Sequence, residues 1–531
     1  MLHHQHDIIE AMLQPGFYPE PTRRVRRRET HISTVLLTDQ MVYKIKKPLN
    51  LGFLDFTTLE LRRHYCHQEI ILNRRLSPSV YLGVVPITFD GGRYWFNGPG
   101  QTVEVAVQMR RLEDDRSFLQ LLKKHRVSHG MLIQVVDRLV DFYRMPSASG
   151  PSWETGGWKT VWNNCEENFI QLVPFVDVLF SAEYYEPVRL ATRAMLVRRR
   201  RLFDNRTREG KVRDCHGDLR AEHIYFDQGV QIIDCIEFND RFRYSDVTAD
   251  LAFLAMDLDF SGFTDTAQQF IDQFAAAFGD TDLYLLLDFY KCYRAMVRIK
   301  VDCFRTLNDS IGSHERARLE RQIQRYMQLA YGYVLKFVRP TIWVVFGLPA
   351  SGKSTIATAL AHHLMIESFN SDRIRKQLYD LDPTQSGVAD YGSGIYTHEA
   401  TSLTYGKLML SAQQVVKAGN SVILDAQFGR RNQRREAVRL AEDVDANVIF
   451  IECRAPDKLL VQRLAARQEG SVSDARRQHL SRFKSNYEAP TEIEPVMLIQ
   501  LDTSRPLQES IRRILAEDHV KSARQIQKRL K

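Results

Sequence analysis

No stretch of the 531-residue chain approaches the roughly 18 consecutive apolar residues that a membrane-spanning helix needs, which sets aside the integral membrane class. Glycine and proline, at 27 and 18 residues, are present at ordinary levels, so collagen-like and low-complexity chains are excluded too. Cysteine is scarce and odd in number: seven residues (66, 165, 215, 235, 292, 303, 453) with no Cys-x-x-Cys. That scatter argues against a disulfide framework or a structural zinc site, and inert buried thiols are the expectation. The opening Met-Leu-His-His-Gln-His-Asp lacks the charged-then-apolar layout of a signal peptide, and a cytoplasmic protein is expected. Neither sign of charge dominates, with 73 Lys and Arg against 65 Asp and Glu for a net +8. The densest basic runs, Arg23 to Arg28 and Arg198 to Arg201, are of a kind that touches nucleic acid, but a protein that handles any polyanion is also basic. No Gly/Ser- or Pro-rich linker interrupts the chain, so packed domains are expected, and the length suits two or three of them.

What is present is sharpest at 341–355. Ile342 to Phe346 is β-branched and aromatic and reads as a buried strand. Gly347-x-x-x-x-Gly352-Lys353-Ser354 follows at once, and Ile356 to Leu364 is periodic as a helix is. In that strand–loop–helix context the glycines admit backbone angles and close approaches that a Cβ forbids. Successive N–H groups from Ala350 and Ser351 to Thr355, with the helix N-terminus, would cradle phosphates. Lys353 would reach the β- and γ-phosphates and the Ser354 hydroxyl would ligate Mg²⁺. A nucleotide, ATP, is the expected ligand.

Beyond that loop, Phe369-Asn-Ser-Asp372-Arg373-Ile-Arg375 reads as a strand end followed by a basic helix. Ser421 to Asp425 is an apolar strand ending in an acid, the layout of a residue that holds the Mg²⁺ shell. Asn447 to Cys453 and Met497 to Leu501 read as further strands. Arg463 and Arg467, one turn apart before a polar loop, have the spacing of a lid over a γ-phosphate and equally that of a solvated helix face. Strands alternating with helices predict a parallel, doubly wound α/β sheet. The run resembles small P-loop kinases of the polynucleotide-kinase, zeta-toxin and gluconate-kinase kind. That resemblance implies that Asp372 activates an acceptor hydroxyl and that Arg375, or Arg373, holds the acceptor or the γ-phosphate.

In the N-terminal half, Ser33 to Lys47 reads as two strands, and the two-residue strand period puts Val42, Lys44 and Lys46 on one face. Leu59 to Leu76 reads as a helix carrying Glu69 among apolar residues. A strand lysine with a helix acid is how a kinase-like lobe orients phosphates. Farther on, His216-Gly217-Asp218-Leu219 precedes a hairpin and the strand Val230 to Asp234. That spacing resembles the catalytic and metal loops of kinases, with Asp218 as proton acceptor and Asp234 on Mg²⁺. His-Gly-Asp-Leu, Ile-Asp and Ser245-Asp246-Val-Thr-Ala-Asp250 together resemble the aminoglycoside phosphotransferase family over most of residues 30–305. The resemblance implies a two-lobed small-molecule O-kinase in which Lys44 or Lys46 pairs with Glu69 and Asp250 braces the catalytic loop. One position departs from the pattern: His223 stands where that family carries a metal-binding asparagine, and since imidazole suits softer ions than Mg²⁺, either the site works with one well-held metal, or its preference shifts toward Mn²⁺, or the kinase is weakened. Arg294 and Arg298 share a helix face that is either solvated or a dock for an acidic substrate.

The pairing resembles bacterial fusions of an aminoglycoside phosphotransferase-like half, here 1–335, with a P-loop ATP-binding half, here 336–531. The expectation is an ATP- and Mg²⁺-dependent phosphotransferase with two nucleotide sites and a small hydroxyl-bearing acceptor, a sugar or aminoglycoside. Three alternatives stand beside it. The P-loop half alone is catalytic and the other half regulates; nucleic-acid ends are the acceptor; or ATP switches an interaction protein without turnover.

Overall fold

The computed structural model describes residues 4–52, 54–145, 156–308, 311–382, 394–466 and 477–530. The chain divides into two compact units, 1–280 with 289–331, and 281–288 with 332–531. The sequence reading put the boundary between 335 and 336, four residues later, and did not assign 281–288 to the second unit. Two of the three boundaries, 288/289 and 331/332, fall inside continuous helices, Tyr284–Thr306 and Ser313–Val338, so no break in periodicity marks them.

The first unit opens with six antiparallel strands: β1 (Arg26–Glu29), β2 (Ser33–Leu37), β3 (Met41–Lys46), β4 (Tyr81–Asp90), β5 (Arg93–Phe96) and β6 (Gln101–Arg110). Their order in the sheet is β1-β2-β3-β6-β4-β5. Strand alternation divides the residues between two faces. On one, Tyr43 and Ile45 of β3 pack with Ile8, Ile9 and Met12 of the helix Gln5–Met12. On the other, Val105, Val107 and Met109 of β6 pack with Cys66 and Ile70 of the helix Leu59–Asn73. Burying each large apolar side chain contributes roughly 1.5–3 kcal/mol, so the two helices clamp the sheet from both sides. Lys44 and Lys46 project from the second face, toward the helix that carries Glu69.

The rest of this unit is helical apart from two short ladders. These are β7 (Val212–Asp214) with β10 (Tyr244–Asp246), and β8 (Ile224–Phe226) with β9 (Val230–Ile232). The helix Val247–Phe260 is buried at every residue from Val247 to Leu258, and such an element can sit only at the centre of a core. It carries Asp250 inward.

In the second unit five strands are all parallel: β11 (Thr341–Phe346), β12 (Glu367–Asn370), β13 (Val422–Asp425), β14 (Asn447–Arg454) and β15 (Leu498–Asp502). Their order is β12-β13-β11-β14-β15. Every residue of β11 and β13 is buried, as expected of parallel strands covered on both faces. Successive strands build outward from β11 in opposite directions. That is the topological switch point at which open α/β sheets bind ligands, beyond the carboxyl ends of the strands. The P-loop lies there.

Candidate functional site

Leaving β11, the chain turns through Gly347 (φ +140°), Ala350 (φ +63°) and Gly352 (φ +88°) before the helix Lys353–Leu364. A Cβ on Gly347 would lie 2.5 Å from the Cys453 carbonyl oxygen, so only glycine fits. Lys353 Nζ donates to the Leu348 carbonyl at 2.9 Å, which folds the lysine back over the loop. Thr503, just past β15, ties the loop from outside: its Oγ1 donates to the Ser351 carbonyl at 2.7 Å. Arg463 is half-buried and bonds Thr503 O at 2.8 Å and Ala350 O at 3.3 Å. It therefore sits on the loop rather than on a solvated helix face. A cavity of about 370 Å³ opens here, lined by Ala350, Gly352 to Ile356, Arg463, Thr503, Arg505, Leu507 and Ser510. Sequence reading missed Thr503, Arg505, Leu507 and Ser510. Their only signal was position, directly after the carboxyl end of a strand.

Asp425 ends β13 beside this loop and is buried. Burial pushes its carboxyl up, against Lys353, the Ser354 hydroxyl and the Asn370 amide, which donates at 2.6 Å. Ser354 and Asp425 are thus in contact. A hydroxyl beside a buried carboxylate at a phosphate loop is a donor set of the oxygen type that Mg²⁺ takes. Asp372 is half-buried, on the helix Ser371–Leu378, and its charge acts on Asp425. Arg375, expected to hold acceptor or γ-phosphate, is instead buried against 394–401. Its Nη1 donates to the Ile395 carbonyl at 2.9 Å and Thr401 Oγ1 at 3.2 Å, and its guanidinium lies 4.9 Å from the Tyr396 ring. It lies on the inward face of its helix, and Arg373 is the exposed one. Arg467 and the polar loop after it lie outside the described residues.

The first unit gathers a second constellation. Asp250 accepts from the backbone N–H of His216 (2.7 Å) and Gly217 (2.9 Å) and from Tyr143 Oη (2.9 Å). Arg294 Nη1 donates to the Gly217 carbonyl at 3.0 Å and its Nε to the Ala249 carbonyl at 3.0 Å. Arg294 is thus a buried brace of the His-Gly-Asp loop, and both readings of it as an accessible basic face fail. Gly217 has φ +84°, and a Cβ there would approach the Phe242 carbonyl to 3.2 Å. Burial pushes the Asp218 carboxyl up, but Arg220, His223 and Arg298 hold it below its ordinary value. His223 Nδ1 lies 2.9 Å from the Asp218 carbonyl, which only accepts, so Nδ1 carries the proton. Nε2 is 3.9 Å from Asp234 Oδ2 and 3.4 Å from Arg220 Nη2.

Asp234 is in the left-handed region (φ +69°), and its backbone N–H donates to Tyr81 Oη at 3.0 Å. Against burial, Lys44 and then His223 hold its carboxyl well below the usual range. Lys44 Nζ is 2.5 Å from Asp234 Oδ1 and 3.0 Å from Glu69 Oε1. Lys46 Nζ is 2.7 Å from Glu69 Oε2 and in contact with Glu237 Oε1. Both lysines therefore meet Glu69, but only Lys44 also meets Asp234. Lys46 is 0 % exposed, so as placed it has no access to a nucleotide, which corrects its assignment as a binding residue. Among the described residues no group of three or more His, Cys, Asp or Glu side chains is arranged to hold a metal ion. A Mg²⁺ site completed by substrate phosphates needs only one or two carboxylates, and Asp234, 44 % exposed at its side chain, meets that requirement.

Elsewhere the charged runs are largely engaged. Arg28 pairs with Asp114 at 2.7 Å, Arg27 with Glu29 at 2.5 Å, and Arg200 stacks over Trp158 at 4.7 Å. All seven cysteines are buried, and burial pushes the Cys215 thiol well up and the Cys235 thiol up to about 12, as inert core thiols require. No described helix is long and apolar enough to cross a membrane.

Comparison with known proteins adds the following. Residues 342–490 match the family model of an AAA domain. The chain is 32% identical over 451 residues to "Uncharacterized protein Rv2004c" of Mycobacterium tuberculosis, covering 84% of this chain and 87% of the relative. The same identity and coverage hold for "Uncharacterized protein Mb2027c" of Mycobacterium bovis. Among solved structures, a choline/ethanolamine kinase family protein from Mesorhizobium loti aligns at 12% identity, covering 62% of this chain and 98% of that one, with a TM-score of 0.35. A gluconokinase from Sinorhizobium meliloti aligns at 18% identity over 35% of this chain and 94% of its own, with a TM-score of 0.25.

Proposed function

The chain belongs to the family of the mycobacterial protein Rv2004c, and on that footing we propose that it is an ATP-dependent phosphotransferase with two nucleotide sites. The second unit would bind ATP on the P-loop, with Lys353 and the N–H groups of 350–355 on the phosphates and Arg463 closing the loop from one side. Ser354 and Asp425 would hold Mg²⁺, which supplies charge neutralisation at the transferred phosphoryl group. Asp372 would take the proton of the acceptor hydroxyl. The first unit would place Lys44, steadied by Glu69, on the α- and β-phosphates, with Asp234 and His223 at the metal. Asp218 would be the proton acceptor. Its low-lying carboxyl stays ionised near neutrality, so it works by orienting the hydroxyl and taking its proton late. The acceptor is a small hydroxyl-bearing metabolite, of which a sugar or an aminoglycoside is the kind expected.

The observation that supports the reading is that each unit brings a lysine near two carboxylates, Lys353 with Asp425 and Asp372 in one and Lys44 with Asp234 and Asp218 in the other. The test is ADP release by wild type, Asp218→Ala and Lys353→Ala, with Mg²⁺ or Mn²⁺ and sugars, aminoglycosides, nucleosides and oligonucleotides as acceptors. Each variant is expected to lose a different activity. If Asp218→Ala keeps every activity and Lys353→Ala loses all of them, the first unit is a regulator and the two-kinase reading is wrong.

A further inference from the structure

The nucleotide site of the first unit contains one ion pair more than its chemistry needs. Five charged side chains form a chain of contacts, Asp234–Lys44–Glu69–Lys46–Glu237. Lys44 and Asp234 stand at the open end, at 11 % and 44 % side-chain exposure. Lys46 and Glu237 lie at the closed end at 0 % and 5 %, with the Phe56 ring 5.0 Å from the Lys46 ammonium. Burying such a pair is costly, and replacing it with apolar residues of similar volume is often neutral for stability. The pair is therefore poorly explained as a stabiliser.

Its position suggests another role. Lys44 is shared between Glu69 and Asp234. A phosphate at Lys44 and a metal at Asp234 would each compete with the Lys44–Asp234 contact. A Lys44 that shifts toward a phosphate holds the buried Glu69 less firmly at Oε1, so a second cation is needed to keep that carboxylate aimed. Lys46 remains, itself anchored by Glu237, and holds the second Glu69 oxygen.

We propose that Lys46 and Glu237 are positioning residues of the first unit's nucleotide site: a buried ion pair that keeps Glu69 fixed while Lys44 exchanges Asp234 for a phosphate. The inference rests on the reading of that unit as a nucleotide site. Three features of the sequence encode it together: two lysines one strand period apart, one helix acid between them, and an acid three residues beyond Asp234.

The experiment measures binding of a fluorescent ATP analogue with Mg²⁺ to full-length protein carrying Lys353→Ala, which removes the P-loop site. Into that background go Lys46→Met/Glu237→Leu, which removes the pair without leaving a lone charge, and Lys46→Arg, which keeps it. The double replacement is expected to leave the melting temperature within a few degrees of the parent and to weaken binding about tenfold or more. Lys46→Arg is expected to retain most of the affinity. Unchanged affinity in a folded double variant overturns the inference and leaves the nucleotide site standing. Absence of binding in the Lys353→Ala parent itself overturns the underlying reading. Should the double variant fail to fold, loss of affinity in Lys46→Arg at unchanged melting temperature overturns the inference, because that change conserves the pair.

Discussion

Single residues separate what phosphate chemistry fixes from what folding has to assemble. Lys353, Ser354 and the two P-loop glycines were legible because a phosphate cradle is built from contiguous backbone, so the spacing alone encodes it. Lys46 was misread as a nucleotide contact because its partner Glu237 is 191 residues away in sequence. Thr503 was invisible for the same reason, being 152 residues from the Ser351 carbonyl it bonds. Thr503→Val removes that bond and leaves a buried carbonyl unpaired, which costs about 1–3 kcal/mol. Denaturant unfolding should show that loss together with weaker ADP binding in an Asp218→Ala background, and normal ADP affinity would refute the role given to Thr503.

At the level of elements, the strands of the second unit could be read from their apolar runs, and the parallel order β12-β13-β11-β14-β15 agrees with the doubly wound expectation. The helix Gln5–Met12 was not foreseen. Its three large apolar residues, Ile8, Ile9 and Met12, are buried only because β3 offers Tyr43 and Ile45, a tertiary fact. The opening at Gly347 yields a sharp expectation: Gly347→Ala forces a Cβ to within 2.5 Å of the Cys453 carbonyl and should abolish P-loop nucleotide binding, read by dialysis, while Gly16→Ala, which meets nothing within 4 Å, should not. The last helix, Leu507–Leu530, carries a titrating group of its own. Burial and the charge of Asp288 push the Asp518 carboxyl up to about 7, against the Ser522 hydroxyl that donates to it at 2.8 Å. Between an unfolded value of about 3.9 and about 7, the folded state binds more protons than the unfolded one. Stability from this group is therefore present at low pH and lost as pH rises toward 7. Asp518→Asn should melt above wild type at pH 8 and by a smaller margin at pH 5, and a variant less stable at pH 8 would refute the shift.

For the whole molecule, the chain divides into two units, and the helices that run through 288/289 and 331/332 leave no mark of those boundaries in the sequence. Nothing in one linear sequence reports which acid meets which lysine across nearly 200 residues, and that is where the reading stopped short. The central claim is that one chain holds two nucleotides. Equilibrium dialysis with a labelled non-hydrolysable ATP analogue and Mg²⁺ measures this directly, on wild type, Lys353→Ala and Lys44→Met. Two equivalents per wild-type chain, falling to one in each variant, is the predicted result. One equivalent in wild type that vanishes in Lys353→Ala and is untouched by Lys44→Met would contradict the account.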